Sequence, residues 1–89
     1  MKLKRHKQFL KDWSKTRLTN GQFVKFIKFA ECLRVESPLP VESKDHVLNG
    51  EYQDCREFHL GGDMLVIYLM AETEIIFLRL GTHLSLIHI

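Results

Sequence analysis

Two cysteines, two prolines and five glycines in 89 residues leave this chain few covalent or conformational staples. Cys32 and Cys55 are far apart and form no CxxC pair, so neither a disulfide framework nor a zinc knuckle is indicated. Both are expected to behave as small buried hydrophobes. No glycine-rich phosphate cradle is present: Gly61-Gly62 stands alone, without the GxxxxGK[ST] context. The longest uninterrupted apolar run, Met64 to Ala71, has eight residues; a membrane-spanning helix needs about 20. The basic start Met1-Lys2-Leu3-Lys4-Arg5-His6-Lys7 is not followed by the apolar stretch of a signal peptide. These absences predict one soluble, cytoplasmic domain over residues 1–89, with any active site on the surface of a single core.

What is present is strongly polarised. The net charge is only +2, yet residues 1–34 carry ten Lys/Arg against Asp12 and Glu31, while residues 35–89 carry Lys44, Arg56 and Arg79 against nine acids. Such asymmetry suits a face that meets nucleic acid, and equally suits a solvated pair of lysine-rich helices.

Hydrophobic spacing predicts a helix over 7–18, with Phe9, Leu10 and Trp13 on one side. Thr19-Asn20-Gly21 breaks it, and Asn20 is a plausible N-cap for a second helix to about Arg34. Phe23, Phe26, Ile27, Ala30 and Leu33 would form its buried stripe. Ser37-Pro38-Leu39-Pro40 ends the helix, because residues preceding proline avoid the helical region. Residues 41–53 look like an extended polar loop. The period then changes, and 54–60, 64–70 and 74–80 read as three strands joined by short antiparallel connections. Residues 3–7 would add a further strand. The class is α+β, a helical hairpin on an antiparallel sheet.

Strand parity specifies faces. Phe58 and Leu60 should meet the helices, leaving Cys55, Glu57 and His59 on the open side. Leu65, Ile67 and Leu69 in the middle strand, and Ile76, Leu78 and Leu80 in the last, are expected on the helix side. Met64, Tyr68 and Arg79 are then expected on the open side.

Candidate chemistry lies in the strand half, where His46, His59 and His83 occur with Asp63. Imidazole titrates near neutrality, so a pair or trio of histidines beside a cation can cut RNA without a metal. One group takes the 2′-OH proton, another protonates the departing 5′-oxygen, and Arg79 or Arg56 would offset the charge gathering on phosphorus. The alternatives are structural histidines and a turn aspartate after two glycines. The histidine separations also lack the close pair that most zinc sites use.

From Lys44 onward the residues resemble one family. Lys44-Asp45-His46-Val47-Leu48-Asn49-Gly50, Tyr52 and Arg56-Glu57-Phe58-His59 resemble the KDHxLxGxW…RExH pattern of the YafQ-type toxins in the RelE/ParE superfamily. The match continues through Asp63, Leu65-Val66-Ile67-Tyr68 and Arg79-Leu80-Gly81-Thr82-His83, and Lys7-Gln8-Phe9 before Lys11-Asp12 is similar to the family's opening. The resemblance implies two N-terminal helices on a four-stranded, mostly antiparallel sheet. It implies a ribosome-dependent endoribonuclease that cuts mRNA in the A site with neither metal nor cofactor, and an antitoxin partner that neutralises it. It assigns His46, His59, Asp63 and His83 to the catalytic positions, with His83 as general acid, and Arg79 to the phosphate. Arg56, Met64 and Ile87 are further expected RNA contacts. Met64 stands where several relatives have Trp, and Ile87 where the family usually has Phe; each missing aromatic removes a base-stacking surface worth about 1–3 kcal/mol. Gyrase-inhibiting relatives lack the histidine set, which argues against that alternative; a non-catalytic binding module of the same fold is the other.

Overall fold

The computed structural model describes residues 1–48, 50 and 54–86. The elements run β1 (Lys2–Arg5), α1 (Lys7–Lys15), α2 (Asn20–Arg34), a single 3-10 turn (Val41–Ser43), β2 (His46–Val47), β3 (Cys55–Gly61), β4 (Met64–Met70), β5 (Glu74–Thr82) and α3 (His83–Leu86). The sheet has five strands in the order β1-β5-β4-β3-β2 rather than four. The α+β class holds, with β1 parallel to β5 and the other pairings antiparallel. No helix among the described residues is long and apolar enough to cross a membrane.

Local chemistry sets the helix ends. His6 Nδ1 accepts from Gln8 N and caps α1. Thr19, not Asn20, caps α2: its hydroxyl accepts from Gln22 N while the Gln22 side chain accepts from Thr19 N, a reciprocal capping box. The buried stripe of α2 is Phe26, Phe29, Ala30 and Leu33; Phe23 and Ile27, expected inside, are about half exposed.

The main core lies between the helices and one sheet face. Phe9, Phe26, Phe29, Phe58, Tyr68 and Phe77 dominate it, with ring centroids 5.5 Å apart for Phe9–Phe77, Phe26–Phe77 and Phe29–Phe58. Parity holds for β3 and is reversed for β4, where Val66 and Tyr68 face the helices and Met64 packs beside them. Leu65 and Ile67 instead join Leu48, Cys55 and Leu86 in a second cluster on the other face. In β5, Ile75 and Phe77 face the helices, contrary to the expected Ile76 and Leu78. The register explains how Leu80 is also inward: Tyr68 pairs with Phe77 and Ile67 with Arg79, so Leu78 is a bulge that shifts the parity. The Cys55 thiol is pushed up by burial and by the Asp54 charge, which fits an inert side chain.

The second cluster requires α3 to fold back over the open face. A Cβ on Gly81 would lie 3.0 Å from Ser85 Oγ and 3.2 Å from Leu86 Cγ, so a larger residue there would require α3 to give by a few tenths of an ångström. The turn between β3 and β4 uses Gly61 at φ 111° and Gly62 at φ 59°, a region that glycine enters without strain.

Candidate active site

The β3–β4 hairpin and the two-residue strand β2 bring a buried carboxylate between two imidazoles. Register pairs His46 with Glu57, and parity puts Glu57 and His59 on the same open face. Glu57 Oε1 lies 2.9 Å from His46 Nε2 and 3.3 Å from His59 Nε2, and the imidazole rings stack with centroids 6.0 Å apart. The Glu57 side chain is only 2% exposed, whereas His46 and His59 are 52% and 26% exposed, so the carboxylate is an anchor and the imidazoles are what solvent meets. Its Oε2 is buried without a hydrogen-bond partner among the described residues.

Counting donors and acceptors places a hydrogen on each imidazole. His46 Nδ1 is 2.7 Å from the Lys44 carbonyl oxygen, which can only accept, so Nδ1 carries a hydrogen. The Nε2–Glu57 contact then needs one more proton, held on either the imidazole or the carboxyl. For His59, a hydrogen on Nε2 satisfies Glu57 and leaves the Nδ1 lone pair free to act as a base.

Asp63 and His83 meet at the end of the sheet. His83 N donates to the Asp63 carbonyl oxygen at 3.0 Å, and both side chains are exposed. The hairpin is tied to α2 by Gln22 Nε2, which donates to Gly61 O at 3.0 Å. Two register rows connect these residues: His59 pairs with Leu65 and Leu65 with Gly81, while Gly61 pairs with Met64 and Met64 with Thr82. His59, Asp63 and His83 therefore share the hairpin end of β3, β4 and β5.

Arg79 ends the row His46–Glu57–Ile67–Arg79, three strand spacings, or about 14 Å, from His46. Its Nε donates to Asp12 Oδ2 at 2.8 Å and its Nη2 to Asp12 Oδ1 at 3.3 Å, so the guanidinium curls round the sheet edge toward α1. Burial alone would raise the Asp12 carboxyl, but bonds from Arg79 and Leu80 N and the Arg79 charge hold it below the usual range. Met64, expected on the open face, lies on the helix side and borders the same edge cleft as Arg79.

Arg56 is not part of this assembly. It lies on the helix face, where Nη2 donates to Asp45 Oδ2 at 2.8 Å and Tyr68 Oη donates to Asp45 Oδ1 at 2.6 Å. The Asp45 contact raises the guanidinium, and burial followed by Asp45 pushes the Tyr68 phenol up. Arg56 is thus a structural ion pair where an RNA contact was expected. Ile87 lies outside the described residues, as do Asn49 and Tyr52. Glu57 is the residue that sequence reasoning left without a role; its signal was its place two residues before His59, on the same strand face.

Comparison with known proteins identifies the family. The family model "Bacterial toxin of type II toxin-antitoxin system, YafQ" matches residues 1–88. A putative toxin YafQ of Haemophilus influenzae is 32% identical over 71 residues, 76% of this chain and 70% of that one. An mRNA interferase toxin YafQ of Escherichia coli strain B is 31% identical over 82 residues, covering 75% of this chain and 89% of its own. Among solved structures, YafQ from E. coli BL21(DE3) superposes with a TM-score of 0.84 at 27% identity, over 96% of both chains. A copper-bound mutant toxin from Helicobacter pylori gives 0.80 at 34% identity, over 96% of this chain and 97% of that one. The E. coli DinJ-YafQ toxin-antitoxin complex gives 0.80 at 28% identity, over 96% and 94%. The chain belongs to the YafQ family of bacterial toxins from type II toxin-antitoxin systems.

Proposed function

We propose that this chain is a ribosome-dependent endoribonuclease that cuts mRNA in the A site and so arrests translation. The observation that carries the reading is the buried Glu57 carboxylate holding His46 and His59 at the end of the sheet that also presents Asp63 and His83. His59, with Nε2–H held by Glu57, takes the 2′-OH proton. The 2′-oxygen attacks phosphorus, and His83 protonates the departing 5′-oxygen, leaving a 5′-OH end and a cyclic phosphate. Asp63 and His46 orient these groups, and Arg79, positioned by Asp12, faces the charge gathering on the phosphate. Relatives named mRNA interferase and a relative solved with its DinJ antitoxin support the activity and a cognate antitoxin partner. Added to translating ribosomes, the purified protein should yield mRNA fragments with 5′-OH ends. Intact mRNA with stalled replication would instead indicate gyrase inhibition, and neither effect a binding module.

The same three side chains also fit a borderline or soft ion. The ligand atoms of His46, Glu57 and His59 lie within 4.8 Å of one another, and two imidazoles with a carboxylate suit zinc or copper. A bound ion would supply Lewis acidity there, and it would take up the lone pair that His59 needs as a base. Cleavage should therefore persist in EDTA kept below the magnesium concentration, with an unrelated toxin of the same superfamily controlling for ribosome integrity. Equimolar copper should slow it. Activity that is lost in EDTA and restored by zinc would overturn the metal-free reading.

A further inference from the structure

A cleft of about 400 Å³ opens at the sheet edge where α1 ends, bounded by β5 and α3. We infer that it is a second RNA phosphodiester subsite, in which Lys15 and Arg17 hold the backbone beside the scissile linkage. This rests on the proposed ribonuclease function and adds two residues that the acid–base set does not contain.

The case begins with charge. Lys15, Arg17 and Arg79 line the cleft, and among the described residues its only acid is Asp12, whose oxygens are already engaged by Arg79 and Leu80 N. Lys15 and Arg17 are exposed, and among the described residues neither is paired with a carboxylate. The lining is therefore cationic and complementary to a polyanion without depending on Arg79 being free. Position is the second argument. Thr82 and Ser85 also line the cleft, and they lie on either side of His83 in sequence. Met64, the residue after Asp63, also lines the cleft. A strand with its scissile phosphate at His59 and His83 would thus meet Lys15 and Arg17 next along its backbone.

Rigidity is the third argument. Thr16 Oγ1 donates to Asp12 O at 2.7 Å, and Asp12 is bonded to Leu80 N at 3.0 Å, so the segment carrying both cations is fastened to β5. Lysine and arginine held on an anchored helix end lose less freedom on binding than a mobile tail would.

The test compares the full chain with its Lys15→Gln/Arg17→Gln variant. The probes are a fluorescent single-stranded RNA of roughly 12 nucleotides and, separately, ribosomes with and without mRNA. Each single-strand phosphate contact contributes about 0.7 to the slope of log affinity against log salt, so the variant's slope should fall by about 1.4, with affinity down about 25-fold at about 0.1 M salt. A loss on the free RNA assigns the subsite to the cleaved strand. A loss seen equally on empty ribosomes, and not on the free RNA, assigns it to ribosomal RNA and overturns its place beside the scissile linkage. Unchanged slope and affinity in every arm, in a variant that melts like the parent, would overturn the subsite. If the parent protein itself leaves mRNA intact on translating ribosomes, the proposed function fails; if the parent cleaves and the variant matches it in every arm, only the subsite fails.

Discussion

Replacing His83 with alanine is expected to slow mRNA cleavage by about 10²–10⁴-fold, the usual range for one acid–base group. Folding should be barely affected. The His83 side chain is exposed at the start of α3, and the contact that fastens this residue uses its backbone N–H on Asp63 O, which alanine retains. A surface change of this kind alters stability by no more than about 0.5 kcal/mol. The measurement is a single-turnover cleavage rate on translating ribosomes beside a thermal melt of the free protein. His59→Ala should cost a similar factor. The double variant should be little worse than either alone, because groups acting on one transition state do not contribute additively. Full activity of His83→Ala would remove it as the general acid and turn attention to His46, whose Nε2 lies 2.9 Å from Glu57 Oε1.

Strand β3 was legible because its two faces differ: Phe58 and Leu60 alternate with Glu57 and His59. Strand β4 offers apolar residues on both faces, so period-two reasoning has nothing to choose between, and it chose the wrong face. Two features decide the register. The Tyr68 hydroxyl needs a buried partner and finds Asp45 on the helix side, while Leu65 and Ile67 are covered by Leu48 and Leu86. The bulge at Leu78 leaves no trace in composition, yet it lets Phe77 and Leu80 both point inward. Strand β2 escaped notice because two residues in a polar stretch give no periodicity; its pairing with β3 is a tertiary fact.

The candidate site was legible as a set of residue types but not as a geometry. His46, His59, Asp63, His83 and Arg79 were named from the chain, and the structure distributes them over three neighbouring groups. What the sequence could not show is which acid organises them. Nine acids fall after residue 34; beyond the strand face that Glu57 shares with His59, it is burial that singles it out among the described ones. Arg56 misled for the converse reason: a cation in a family-like motif suggests phosphate, and only parity reveals that it points toward the helices and Asp45. Asp12 was likewise read as one of two acids in a basic half, whereas it is buried and joins α1 to β5.

That junction carries the second large effect. β1 pairs with β5 only from Glu74 to Phe77, and the chain then leaves the sheet at His6, whose N–H donates to Phe77 O. The next part of the β5 edge would expose the Leu80 N–H, and Asp12 Oδ2 accepts it at 3.0 Å. Asp12→Ala strands that buried donor and leaves Arg79 without its carboxylate, so unfolding should become easier by about 3 kcal/mol. For a domain of this size that lowers Tm by about 12–24 °C. Asp12→Asn keeps an acceptor for Leu80 N and loses only the charge, so it should cost less, about 1–2 kcal/mol. The pH dependence separates the two contributions. The Asp12 carboxyl is depressed below its ordinary value of 3.8 in the folded chain. Its charge therefore stabilises the protein fully above that value, and the contribution disappears as pH falls through the lower folded one. Urea unfolding of the parent and Asp12→Asn at about pH 7 and about pH 2.5 should show a gap that narrows on acidification. A gap of equal size at both values would mean that the Arg79 pair contributes nothing as a charge, leaving Asp12 only the capping of the Leu80 N–H.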